Sequence, residues 1–172
     1  LQARLDAEAL RLAAAAAGGA GAEGGAAGEG GVAGDWFADF KDLSQVSARM
    51  DQLAAAHPTR ATVLTVGLSH EGRAIRALRI ARGAAATAPA FLFSSCQHAR
   101  EWATPMTTMY LAEQLLERAD TDARLGALLD RAAVIVVPVV NPDGYQYSWT
   151  TDRLWRKNRQ PNGDGSFGTD TN

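Results

Sequence analysis

The sequence predicts an α/β fold whose sheet carries strands of mixed direction. Three observations predict it. Val134 to Val140 is a nearly continuous β-branched run, which suits a central strand covered on both faces. Two strand patterns, Thr62–Val66 and Ala74–Ala81, flank the turn sequence Ser69-His70-Glu71-Gly72-Arg73 and predict a hairpin. Helical and strand patterns then alternate along the chain, which is how a sheet acquires layers of helices.

The elements follow in order. Leu1, Leu5, Ala9 and Leu12 recur at helical spacing, with Arg4 and Glu8 able to pair, so residues 1–17 are expected to be helical. Gly18 to Gly34 holds nine of the chain's 17 glycines and reads as a flexible linker. Gly19-Ala20-Gly21-Ala22-Glu23-Gly24 within it matches a dinucleotide-loop pattern, but no strand precedes it and no helix follows, so the match is rejected. The globular part is expected from about Asp35. Asp42-Leu43-Ser44-Gln45 has the form of a capping box. Leu43, Val46, Met50, Leu53 and Ala54 then make the buried stripe of a helix that His57-Pro58 ends.

After the hairpin, a polar stretch around Gly83 to Pro89 leads to Ala90–Ser95, whose apolar start reads as a buried strand. A helix is expected after Glu101 to about Arg118, with Met109, Ala112 and Leu116 inward and Pro105 in its first turn. A short helix over Asp122–Leu129 precedes the central strand. Asn141-Pro142-Asp143-Gly144 reads as the turn that leaves it.

Composition excludes several functions. Seventeen basic against 19 acidic residues give a net charge of −2, so no overall field points to nucleic acid or to a membrane surface. The longest apolar run, Ala132 to Val140, is far short of the roughly 20 residues that span a bilayer. Cys96 is the one cysteine, which excludes an intrachain disulfide and a Cys-rich metal site, and it is expected to be a buried apolar filler. The compartment stays open, since one cysteine fits both the cytosol and secretion. The first residue is Leu and no element closes the chain after Gly168, so an internal piece of a longer protein is expected.

His98-Ala99-Arg100-Glu101 carries the chemistry. A His and a Glu three apart share one face of a helical turn, where an imidazole nitrogen and a carboxylate can converge on one cation. That donor pair suits Zn²⁺. The position, at the end of a strand, is where open α/β sheets place ligands. From these four residues alone, a surface His near a helix start, with Glu101 stabilised by the helix dipole, is the favoured reading. His57 and His70 have no Glu or His at helical spacing and are not expected to be ligands. Asn162-Gly163-Asp164-Gly165 lacks the remaining ligands of a calcium loop. The basic and aromatic cluster from Tyr147 to Arg159 could stack single-stranded nucleic acid, but its short extent and the neutral balance favour a solvated loop.

Five stretches stand in one order: Ser69-x-Glu71-Gly72-Arg73, His98-Ala99-Arg100-Glu101-Trp102, Asn141-Pro142-Asp143-Gly144-Tyr145, Arg153-Leu154-Trp155-Arg156-Lys157-Asn158-Arg159 and Gly168-x-Asp170-x-Asn172. The set resembles the zinc metallocarboxypeptidases of the pancreatic carboxypeptidase A/B type, from about Asp35 to Asn172. The resemblance implies a mixed-sheet, carboxypeptidase-like three-layer sandwich, cut off after its first strands. Residues 35–172 would be the N-terminal part of the catalytic domain, and 1–17 the end of an activation segment. His98 and Glu101 would be two of three protein ligands to one Zn²⁺, and Asp170 the carboxylate bonded to the His98 imidazole. Arg156 would stabilise the oxyanion, Arg100 and Arg153 would contact substrate, and Asn172 would bind its terminal carboxylate. The substrate would be the C-terminus of a peptide or protein, with no nucleic acid or membrane partner, and secretion is favoured.

Physical chemistry supports these roles. A ligating His usually donates its other N–H to a carboxylate, and a planar guanidinium both stabilises a developing oxyanion and grips a carboxylate in bidentate fashion. In the family the third zinc ligand and the glutamate base lie beyond the position of Asn172. The chain alone is therefore expected to be inactive and to expose an apolar sheet edge. Two alternatives remain: a non-catalytic binding module on the same scaffold, and a related zinc amidohydrolase acting on acylated amino acids.

Overall fold

The computed structural model describes residues 36–82 and 89–171. The expected helix over 1–17, the linker over 18–34, much of the stretch before Pro89, and Asn172 lie outside them. A short 3₁₀ turn, Trp36–Ala38, which no sequence pattern signals, leads to helix α1, Leu43–Ala56. The capping box forms as expected: Asp42 Oδ1 accepts from the Gln45 amide at 2.8 Å, and Gln45 Oε1 accepts from the Asp42 amide at 3.0 Å. Val46, Met50 and Leu53 are buried, while Leu43 and Ala54 pack at the margin of the core. The His57 amide closes the helix on Leu53 O.

Strands β1 (Ala61–Leu68) and β2 (Ala74–Ile80) form the predicted antiparallel hairpin, with a bulge between Thr65 and Gly67. Strand β3 (Ala90–Ser94), helices α2 (Ala103–Arg118) and α3 (Ala123–Arg131), strand β4 (Ala133–Val137) and helix α4 (Pro142–Thr150) complete the described chain. The sheet order is β1-β2-β4-β3, with β4 antiparallel to β2 and parallel to β3, so the sheet is mixed. Leu78 pairs with Val136 and Ile80 with Val134, which puts all four on one face. That face meets Val46 and Met50 of α1, Met109 and Leu116 of α2 and Leu129 of α3 in one core. Among the described residues, no helix is long and apolar enough to cross a membrane.

Three expectations are corrected. Ala90–Ser94 is not buried: Phe91, Leu92 and Phe93 are 53%, 65% and 46% exposed. The reason is strand order, which puts β3 at the edge with β4 as its one partner among the described residues, so an apolar edge is indeed exposed. The central strand ends at Val137, because Pro138 has no N–H to give the ladder. Asn141-Pro142-Asp143-Gly144 is a helix start rather than a turn. Asn141 is the N-cap, its side chain accepting from the Gly144 amide at 3.0 Å, and Pro142 opens the first turn. A Cβ at position 144 would collide with Lys157 O and the Asn141 side chain, so glycine lets the 157 loop close on the helix.

Candidate active site

Parallel pairing of β3 with β4 delivers two loops to the same end of the sheet. The ladder runs on past both strands: the Ser95 amide bonds Val137 O at 3.0 Å and the Val140 amide bonds Ser95 O at 3.0 Å. Cys96 then takes a left-handed backbone, φ 56°, which turns the chain out of the sheet plane. It is buried as expected, with Sγ 3.6 Å from His98 O. Burial, then the Glu101 charge, pushes its thiol up to about 12, so Cys96 is a neutral thiol and not a free thiolate.

His98 and Glu101 do not sit on a helix. They are the first and last residues of a turn closed by the Glu101 amide on His98 O at 3.1 Å, and α2 begins only at Ala103. The turn brings the side chains together as the three-residue spacing requires. His98 Nδ1 lies 2.7 Å from Glu101 Oε1. Imidazole nitrogen and carboxylate oxygen are suitable zinc donors. Bonds of ~2.0–2.1 Å in a tetrahedral shell need the two atoms roughly 3.3 Å apart. The half-exposed Glu101 side chain (42%) can open that gap by rotation, whereas His98 (11%) is held. The pair therefore fits the ion. Among the described residues no group of three His, Cys, Asp or Glu converges on one point, so a third ligand is not among them.

Asp170 lies on the other side of the ring. Its Oδ1 is 3.3 Å from His98 Nε2, a contact out of hydrogen-bond alignment with that buried nitrogen. Its Oδ2 accepts from Arg156 Nε at 2.9 Å. One carboxylate thus touches both the imidazole and the guanidinium. Arg156 is also tied to the turn by its backbone, since its carbonyl accepts from the Ala99 amide at 2.9 Å.

The other predicted arginines divide. The Arg100 side chain is exposed. Arg153 donates from Nη1 to Arg100 O at 3.0 Å, with its guanidinium carbon 3.6 Å above the Trp102 ring. Arg159 is withdrawn from solvent against Tyr147, Trp155 and Phe167, with Glu71 3.8 Å away, whereas Arg153 and Lys157 of the same basic cluster stay exposed. Asn172 is outside the described residues.

Two residues that build the site were not singled out as such by sequence. Asn141 Nδ2 donates to Gln97 O at 3.0 Å and to Lys157 O at 3.1 Å, stitching the His98 turn to the arginine loop. Its Asn-Pro pair was a legible helix-start signal. Ser148, buried in α4, accepts from Trp102 Nε1 at 2.9 Å and contacts Ala99 O at 3.1 Å, and no local pattern marks it.

Comparison with known proteins gives a consistent result. Residues 46–172 match the family described as zinc carboxypeptidase. The chain is 40% identical over 129 residues to metallocarboxypeptidase A of Trichophyton tonsurans, covering 74% of this chain and 31% of that protein. It is 37% identical over 138 residues to zinc carboxypeptidase A 1 of Anopheles gambiae, covering 80% and 31%. Among solved structures, carboxypeptidase A from Helicoverpa armigera aligns with a TM-score of 0.66 at 32% identity, over 94% of this chain and 37% of that one. Thrombin-activatable fibrinolysis inhibitor aligns with a TM-score of 0.72 at 25% identity, over 78% and 34%. The chain spans about a third of the length of these relatives.

Proposed function

The chain belongs to the zinc carboxypeptidase family, and from that premise we propose that the complete protein is a zinc-dependent exopeptidase that removes C-terminal amino acids from peptides. Residues 35–172 are, in this reading, the N-terminal part of its catalytic domain. The observation that carries the proposal is the convergence of His98, Glu101, Asp170 and Arg156 at the end of the parallel strand pair. His98 and Glu101 would hold Zn²⁺ through Nδ1 and Oε1. When bound there, the ion supplies Lewis acidity at the scissile carbonyl and activates water. Asp170, already 3.3 Å from the far ring nitrogen, would hold the imidazole there and raise its basicity. Asp170 takes Nε of Arg156, so the Nη donors of that guanidinium face the task of stabilising the oxyanion. Asn172 would bind the substrate's terminal carboxylate, which restricts cleavage to chain ends, and Arg100 and Arg153 would make secondary contacts to the substrate.

The test is chelator-sensitive, zinc-restorable release of terminal amino acids from a peptide by the complete protein. His98→Ala should abolish both zinc binding and release. Equal turnover of acylated amino acids and peptides would favour the amidohydrolase instead. The 172-residue chain alone is expected to release nothing at an enzyme-like rate, because its described residues offer two ligands rather than three. Turnover by the isolated chain would overturn that part.

Asp170→Ala should weaken zinc retention by about 10–100-fold in a competition titration, as loss of a carboxylate behind a ligating His does. Unchanged affinity would remove Asp170 from that role.

A further inference from the structure

We propose that Arg153 is a positioning residue for the metal-binding turn, bracketing Glu101 by bonding the residue before it and stacking on the residue after it. The inference rests on the reading of His98 and Glu101 as zinc ligands and assigns Arg153 a task beyond substrate contact.

Each carbonyl of the turn lies within hydrogen-bond distance of a donor. Gln97 O accepts from Asn141 Nδ2 and from Thr171 Oγ1 at 2.9 Å. His98 O accepts from the Glu101 amide and Ala99 O meets Ser148 Oγ. Glu101 O accepts from the Thr104 amide at 3.0 Å and from its hydroxyl at 2.8 Å. Arg100 O is served by Arg153 Nη1 at 3.0 Å. That carbonyl belongs to the peptide joining residue 100 to 101. The tilt of its plane sets the backbone of Glu101 and hence the direction of its carboxylate.

The same guanidinium acts on the other side of Glu101. It lies 3.6 Å from the Trp102 ring centroid, and the Trp149 ring stacks on Trp102 at 3.8 Å with planes 3° apart. Two groups that close to one ring must occupy opposite faces, so Trp102 is sandwiched. Trp102 Nε1 donating to Ser148 Oγ fixes the indole in its own plane. Arg153 therefore clamps the turn against α4, and it does so with properties specific to a planar, forked cation.

Lysine separates this role from a purely electrostatic one, because it keeps the charge and loses both the fork and the stacking plane. In the complete protein, Arg153→Lys and Arg153→Ala should each weaken zinc binding by about tenfold, measured by competition with a chromophoric chelator. In the metal-free protein, both should speed hydrogen exchange of the Glu101 amide. Wild-type zinc affinity and wild-type exchange in the Lys variant, with a change in KM alone, overturn the proposal. Should the wild-type protein bind no zinc at His98 and Glu101, the functional reading fails. The exchange rate at Glu101 still decides: acceleration supports the clamp and an unchanged rate overturns it.

Discussion

Arg156→Ala should lower kcat of the complete protein about 10²–10³-fold, equivalent to about 2.7–4 kcal/mol of transition-state stabilisation, while zinc content should stay near that of the wild type. The two halves of the expectation have separate causes. The loss in kcat follows from removing preorganised N–H donors at the developing oxyanion, whose charge water would have to reorganise to meet. The retained zinc follows from how Arg156 is tied to the turn. Its link to Ala99 is through the backbone carbonyl, at 2.9 Å, and truncation of the side chain leaves that bond in place. Asp170 loses the Nε partner but keeps its contact with His98 Nε2. Steady-state kinetics on a peptide together with metal analysis check both halves. A kcat within a few-fold of wild type removes Arg156 from the oxyanion; loss of zinc along with kcat makes it a structural part of the metal turn instead.

The elements that sequence revealed are those whose signals are local. The Asp42–Gln45 capping box, the β1–β2 hairpin and the β-branched run of β4 each carry their cause within a few residues, and each forms. The misses are decisions made by distant partners. Phe91, Leu92 and Phe93 read as core because they are apolar, but the strand order of the sheet decides whether a strand is central or at its edge. Asn-Pro-Asp-Gly serves turns and helix starts equally well. Here it starts a helix: the Asn141 side chain caps the Gly144 amide and is itself held by the distant Lys157 carbonyl. At the site, the three-residue spacing of His98 and Glu101 correctly brought the two together, although a single turn rather than a helix does so. Arg159 gave no sign that it would be drawn in among aromatic rings, since those neighbours span Tyr147 to Phe167.

Asp143 links that fold to the site, and Asp143→Asn should destabilise the chain by about 3 kcal/mol at neutral pH. Its side chain is 2% exposed. Oδ1 accepts from Ser69 Oγ at 2.7 Å and from Arg73 Nη1 at 2.8 Å, and Oδ2 accepts from the Glu71 amide at 2.9 Å. An amide in its place turns one oxygen into an N–H donor that faces a donor, and leaves Arg73 without its buried counter-charge. Burial alone pushes this carboxyl up, but the Glu71 amide, the Ser69 hydroxyl and Arg73 together outweigh it and hold it below the usual carboxylate range. The sign follows. Folding favours the ionised form, so the stabilisation is fully present above the unfolded value of about 4 and is lost as pH falls through the lower folded value. Denaturant unfolding should therefore show the wild type losing this increment in acid while the Asn variant does not, the two curves converging as pH falls. A cost under about 1 kcal/mol at neutral pH, or parallel curves in acid, would show that the hairpin tip is held by other bonds. The consequence reaches the chemistry because the tip also carries Glu71. That residue pairs with Arg73 and lies 3.8 Å from Arg159, in the same loop as Arg156. Loosening the tip should thus disorder the arginine loop before it disturbs His98, whose turn is held from α4 and its N-cap Asn141.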